Sequence, residues 1–172
     1  MRIVLVEPSS TSAELVSRML QDRQHEVCVF ADGREALACI KSDPDVGAVI
    51  TAAEPLSISG VELCWEARLA AGSHRPIYLI LMSPELDDDQ LVVALDHGAD
   101  EVLGAPPAPG ELYARLRAAE RLAAMQRDLI RLATTDSLTG MFNRRAFFDK
   151  AAALNARPFT RAVSRGSLIA ST

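Results

Sequence analysis

The first 108 residues alternate short apolar runs with longer amphipathic stretches, and few folds accept that alternation. The runs occupy residues 3–6, 26–30, 46–51, 77–82 and 101–103 and are rich in Val and Ile, with turn residues bounding several of them. Residues 3–6 and 77–82 are almost wholly apolar, as expected for strands covered on both faces by helices.

The intervening stretches have the period of helices. Residues 10–21 bring Ala13, Val16, Met19 and Leu20 near a 3.6-residue repeat, with Thr11 or Ser12 as the expected cap. Residues 33–40 put Ala36, Leu37 and Ile40 on one face, and residues 60–70 do the same with Val61, Leu63, Cys64, Ala67 and Leu69. Residues 87–97 open on three aspartates, favourable at the positive end of a helix dipole, and carry Leu91, Val92, Ala94 and Leu95. Strand–helix repetition of this kind predicts a mainly parallel sheet flanked by helices and joined by right-handed crossovers, in the order (βα)5.

The fifth helix, beginning near Gly110, is expected to be long. Residues 111–133 contain no Gly or Pro and are dominated by Ala, Leu, Arg, Glu, Gln and Met. At ~1.5 Å per residue this stretch would span about 35 Å, more than the sheet requires. Leu122, Met125, Leu129 and Leu132 follow three-four-three spacing, which fits a stalk that pairs with a partner helix or, alternatively, a solvent-exposed linker.

Composition narrows the class. Of 172 residues, 49% are hydrophobic and 24% charged, so a core of ordinary size needs neither metal nor disulfides. Cys28, Cys39 and Cys64 are odd in number and far apart, and read as small buried hydrophobes in a reducing, cytoplasmic setting. His25, His74 and His97 have no metal-ligand spacing. Neither a secretory leader nor a membrane span is expected, and the net charge of −5 argues against a nucleic-acid surface. Residues 151–172 carry Arg157, Arg161 and Arg165 with no acidic residue and no sustained period, so a disordered tail is the expectation.

Several segments resemble known families. Gly60-Val61-Glu62-Leu63-Cys64, Gly98-Ala99-Asp100-Glu101-Val102-Leu103 and Glu111-Leu112 are similar to the third-helix, fifth-strand and fifth-helix segments of response-regulator receiver domains. Residues 75–83 resemble the fourth strand of receivers attached to diguanylate cyclases. Asp136-Ser137-Leu138-Thr139-Gly140-Met141-Phe142-Asn143-Arg144-Arg145-Ala146-Phe147 resembles the entry signature of the GGDEF, or diguanylate cyclase, domain. The resemblance implies a flavodoxin-like (βα)5 receiver with sheet order 2-1-3-4-5 over residues 1–121 and a helical linker or stalk over 122–135. The start of a GGDEF domain would then occupy 136–150.

It also implies where chemistry belongs. Receivers use acidic residues for Mg²⁺, an acceptor aspartate, a hydroxyl and a lysine. The acidic pair falls at Glu7 and Pro8. The acceptor falls at Ala52, or at Thr51 with a one-residue slip. The hydroxyl falls at Ser83 and the lysine at Ala105, which precedes Pro106. Only Glu7 and Ser83 retain suitable groups, so no phosphoryl transfer, metal or cofactor is expected.

Of the cyclase signature, Asp136, Leu138, Thr139, Gly140, Asn143, Arg144 and Arg145 are present. The metal-binding strand and the Gly-Gly-Asp/Glu-Glu-Phe hairpin do not follow, so neither GTP binding nor enzymatic activity is expected. The resulting expectation is a non-phosphorylatable receiver acting in bacterial signalling through a homodimer or a signalling-protein partner. The alternative is a non-functional fragment of a receiver–cyclase protein that makes cyclic di-GMP when complete.

Overall fold

A computed structural model describes residues 1–55, 57–72, 75–84, 88–135, 139, 141 and 143. Ten elements alternate along the chain: β1 (Arg2–Val6), α1 (Ser10–Gln21), β2 (Glu26–Phe30), α2 (Gly33–Ser42), β3 (Val46–Ala52), α3 (Gly60–Ala71), β4 (Tyr78–Ser83), α4 (Asp88–Asp96), β5 (Glu101–Gly104) and α5 (Pro109–Thr134). The five strands form one parallel sheet in the order β2-β1-β3-β4-β5. This is the expected flavodoxin-like architecture with a lengthened last helix.

Helices cover both faces, which explains the nearly unbroken apolar runs. One core layer joins Val4, Val6, Val49, Leu79 and Leu81 of the sheet to Ala36, Ile40, Leu63, Cys64 and Ala67 of α2 and α3. The other joins Ile3, Leu5, Ile50, Ile80, Met82 and Leu103 to Val16 and Leu20 of α1 and to Leu112 and Leu116 of α5. Successive strand residues therefore feed opposite layers, the period-two geometry of a strand buried on both sides. Cys64 belongs to this core, and burial pushes its thiol up to about 12. Cys28 and Cys39 are only half-buried, so the expectation of buried cysteines holds fully for Cys64 alone.

Local chemistry sets the element boundaries. Helix α1 is capped by Ser9, whose hydroxyl accepts from the Ser12 backbone N–H, rather than by Thr11 or Ser12 as expected. Pro8 cannot donate to the sheet, and the chain leaves the strand early enough for the next residue to cap. Asp32 caps α2 through the backbone N–H groups of Arg34 and Glu35, and Ser59 caps α3 through that of Glu62. Strand β3 runs one residue further than expected, to Ala52, and β4 begins at Tyr78 and reaches Ser83.

Helix α5 extends slightly beyond the expected 111–133. Its buried face is Leu112, Leu116 and Ala119, after which the apolar side chains Leu122, Met125, Leu129 and Leu132 are 54%, 63%, 65% and 68% exposed. At the helix end the Asn143 backbone N–H donates to the Thr134 carbonyl at 2.8 Å, and the Asn143 Nδ2 donates to the Ala133 carbonyl at 2.7 Å. Those bonds satisfy two carbonyls that a helix terminus leaves without intrahelical partners. Asp136, Leu138, Gly140, Arg144 and Arg145, with residues 144–172 as a whole, lie outside the described residues.

Candidate functional site

A parallel sheet of this order concentrates chemistry at the carboxyl ends of its strands, near the point where strand order reverses between β1 and β3. There the chain forms a cleft of about 470 Å³ whose walls include Glu7, Pro8, Ala52, Glu54, Ser83 and Ala105. The five pocket positions expected from sequence thus converge, although they are spread over nearly a hundred residues of chain.

The geometry of each wall follows from its strand. Val6 pairs with Phe30 on one side and Thr51 on the other, bringing Glu7 and Pro8 out at the top of β1. The Glu7 backbone N–H donates to Phe30 O at 2.9 Å, and its side-chain Oε1 accepts from the Ser9 N–H at 2.9 Å. Ala52 is the last residue of β3 and pairs with Met82. Thr51 is fully buried and turns its hydroxyl to Ala52 O at 3.0 Å, so Ala52 rather than Thr51 lines the cleft. Ser83 pairs with Gly104, and the Ala105 N–H donates to Ser83 O at 3.0 Å. The Ala105–Pro106 peptide is cis.

Gly60 closes the floor of the β3–α3 loop. Its N–H donates to Ala53 O at 2.9 Å, and a Cβ there would fall 2.2 Å from Ala52 O and 2.6 Å from Leu81 Cδ1. Only glycine lets the start of α3 approach the end of β3 so closely.

The donor chemistry of the cleft does not fit a Mg²⁺ ion held in the receiver manner. Such an ion takes hard oxygen ligands, preferably from more than one carboxylate. Pro8 and Ala52 supply no side-chain oxygen, and one oxygen of Glu7 already accepts a backbone N–H. Among the described residues, no group of three or more His, Cys, Asp or Glu is arranged to hold a metal ion.

The seam residues Leu122, Met125 and Leu129 line a separate open groove of about 300 Å³ with Pro76, Tyr78 and Arg68. Sequence periodicity identified these side chains. The other wall of the groove escaped notice because it comes from the amino ends of β3 and β4, distant in sequence. No described helix is long and apolar enough to cross a membrane.

Comparison with known proteins agrees with the sheet order. The chain is 33% identical over 165 residues to the response regulator MprA of Mycolicibacterium vanbaalenii, an alignment covering 96% of this chain and 64% of MprA. It is 35% identical over 126 residues to the transcriptional regulatory protein TcrA of Mycobacterium tuberculosis, covering 73% of this chain and 48% of TcrA. Among solved structures, the chemotaxis protein CheY4 of Vibrio cholerae superposes with a TM-score of 0.61 at 26% identity, over 69% of this chain and 97% of CheY4. No family model matches the chain. The chain spans roughly half to two thirds of the length of these curated relatives. Fold and relatives lead to one conclusion: the chain carries a CheY-like receiver domain, a regulatory rather than catalytic module of bacterial two-component signalling.

Proposed function

We propose that this receiver is a phosphorylation-incompetent interaction module, passing its signal through a partner protein or a second copy of itself. One observation carries the reading: two methyl groups, those of Ala52 and Ala105, line the cleft at the ends of β3 and β5. A methyl group neither attacks phosphorus nor balances phosphoryl charge, so the acceptor and the cation are missing together. The test is treatment with acetyl phosphate or beryllofluoride in the presence of Mg²⁺. Intact mass and amide NMR shifts are expected to stay unchanged, and a base-labile gain of one phosphoryl mass would overturn the reading. Ala52→Asp alone is expected to restore little, since Pro8 and Ala105 still deprive the cleft of a metal ligand and an ammonium.

The exposed seam of α5 supports self-association as the output. Residues 1–121 would form the receiver and 122–135 the stalk. Truncation after Arg121 is then expected to abolish a dimer seen by light scattering while keeping the thermal transition. Equal dimer affinity in both proteins would move the interface to the receiver faces.

A second reading, a fragment of a receiver–cyclase protein, rests on the Asp136 to Phe147 resemblance and on Asn143 closing the end of α5. Residues 136–150 would be the start of the cyclase domain and 151–172 a disordered tail. Incubation with GTP is expected to yield no cyclic di-GMP. An adjacent reading frame encoding the rest of a cyclase would favour this second reading.

A further inference from the structure

The outward faces of α3 and α4 leave large apolar side chains uncovered. Trp65 is 47% exposed, Leu69 59% and Val93 47%. Trp65 is the only tryptophan in the chain, and its ring meets His97 edge-on, with centroids 6.2 Å apart and planes at 65°. An open groove of about 430 Å³ lies there, lined by Ser59, Val61, Glu62, Trp65, Asp96 and His97. A neighbouring hollow of about 350 Å³ shares Val61 and Val93's helix and adds Glu54 and Asp89.

Among the described residues, Glu54, Glu62, Asp89 and Asp96 line these hollows, and no Lys or Arg does. Lys41 of α2 is paired with Glu66 at 3.3 Å, and Arg68 of α3 with Asp100 at 2.7 Å.

We propose that the α3–α4 face docks a basic amphipathic segment of a partner protein, with an arginine or lysine seated against Trp65 between Glu62 and Asp96. Indole is the best aromatic face for a cation, and flanking carboxylates add to the attraction. Arginine suits the site better than lysine, because its planar guanidinium stacks on the ring while its edge reaches carboxylates. The apolar side of the same segment would cover Val61, Val93 and Leu69, burying surface that the domain leaves in water. This inference rests on reading the domain as an interaction module and supplies the chemistry of its partner. It does not depend on whether α5 pairs.

The test uses the full chain, with Trp65 emission as the readout and a blocked leucine–arginine amphipathic peptide as the probe. A saturable spectral change is expected with this peptide and none with its leucine–glutamate counterpart. Glu62→Gln with Asp96→Asn should weaken binding about tenfold. Glu14→Gln with Asp22→Asn removes the same charge from α1 and its C-cap and should leave binding unchanged. Trp65→Leu, followed by calorimetry, should weaken binding severalfold while keeping the apolar contact. Equal weakening by the two charge pairs would reduce the effect to diffuse attraction and overturn the proposal, as would the absence of any saturable change. A phosphoryl mass gain in a parallel acetyl phosphate reaction would overturn the proposed function and leave this site standing. Failure of the titration would do the reverse.

Discussion

The two ends of the sheet are built on opposite plans. At the amino ends of the strands, three arginines tie distant segments together. Arg75 donates to the carbonyls of Ile40 at 2.7 Å, Asp43 at 2.6 Å and Val46 at 3.2 Å. Arg2 bridges Glu26 at 3.0 Å and Asp43 at 2.6 Å. Arg68 reaches Ile77 O at 2.9 Å, Gly98 O at 2.7 Å and Asp100, whose carboxylate also accepts the Leu79 N–H at 2.8 Å. At the carboxyl ends, where the relatives' fold puts its chemistry, the cleft walls combine alanine and proline with Ser12, Ser83, Gln90 and the carboxylates of Glu7 and Glu54, and no Lys or Arg is among the described lining residues. The arginine ties thus gather at one end of the sheet, while the cleft lies at the other.

That contrast can be broken by substitution. Arg75→Met should be the most damaging change, costing about 3 kcal/mol, because it strips a charged donor from three partly buried carbonyls. Urea unfolding measures this, and a loss below about 1 kcal/mol would mean that water replaces the guanidinium freely. Gly60→Ala should cost about 2 kcal/mol through the clash with Ala52 O and Leu81 Cδ1, a tight fit at the cleft end.

The two ends should also titrate apart. The His25 imidazole, at the turn into β2, is held below its ordinary pKa, first by burial and then by the Met1 ammonium, with Glu120 at 3.9 Å opposing. Its folded pKa is depressed, so the stability it contributes is present above about pH 6.5 and is lost as pH falls through the folded value. The Asp32 carboxyl, at the carboxyl end of β2, is held down by the Ser57 hydroxyl and then by the Glu35 N–H, with a smaller part from Arg34. Its contribution is present above about pH 4 and is lost below that. His25→Gln should flatten the urea midpoint on the acid side of neutrality, and Asp32→Asn only the steeper acid limb. A single limb abolished by either variant would show that the two ends are coupled.

The smallest effect is expected at Glu7. Replacement by Gln keeps the acceptor for the Ser9 N–H, so stability should stay within about 0.5 kcal/mol. A larger loss would reveal a structural use for the carboxylate charge and would blur the contrast between the ends.

Periodicity carried the fold a long way. The runs at residues 3–6 and 77–82 announced strands covered on both faces, and the five strands and helices lie where alternation put them. Capping was less legible, since Ser9, Ser10, Thr11 and Ser12 can all cap and only the exit from β1 past Pro8 selects Ser9. The cleft positions were readable because each lies at a strand end or just after one. The Trp65–His97 contact was not, because Trp65 lies on α3 and His97 just past the end of α4, and neither sequence neighbourhood signals the other. The arginine ties at the amino ends were equally hidden, since their acceptors are mostly backbone carbonyls, which carry no sequence signature.

Among the described residues, the sheet has two unpaired margins of unequal hazard. Strand β5 offers four residues and then meets Ala105, Pro106 and Pro107, prolines that cannot donate to an added strand. Strand β2 offers Glu-Val-Cys-Val-Phe, β-prone and nearly uncharged, with Val29 47% exposed. Under conditions that loosen the domain, aggregation should therefore begin by strand addition at β2, guarded at its entrance only by Glu26 and its ion pair with Arg2. Val29→Lys would put a charge on that margin and should lengthen the lag before turbidity without moving the unfolding midpoint, making β2 the position from which the protein's shelf life is set.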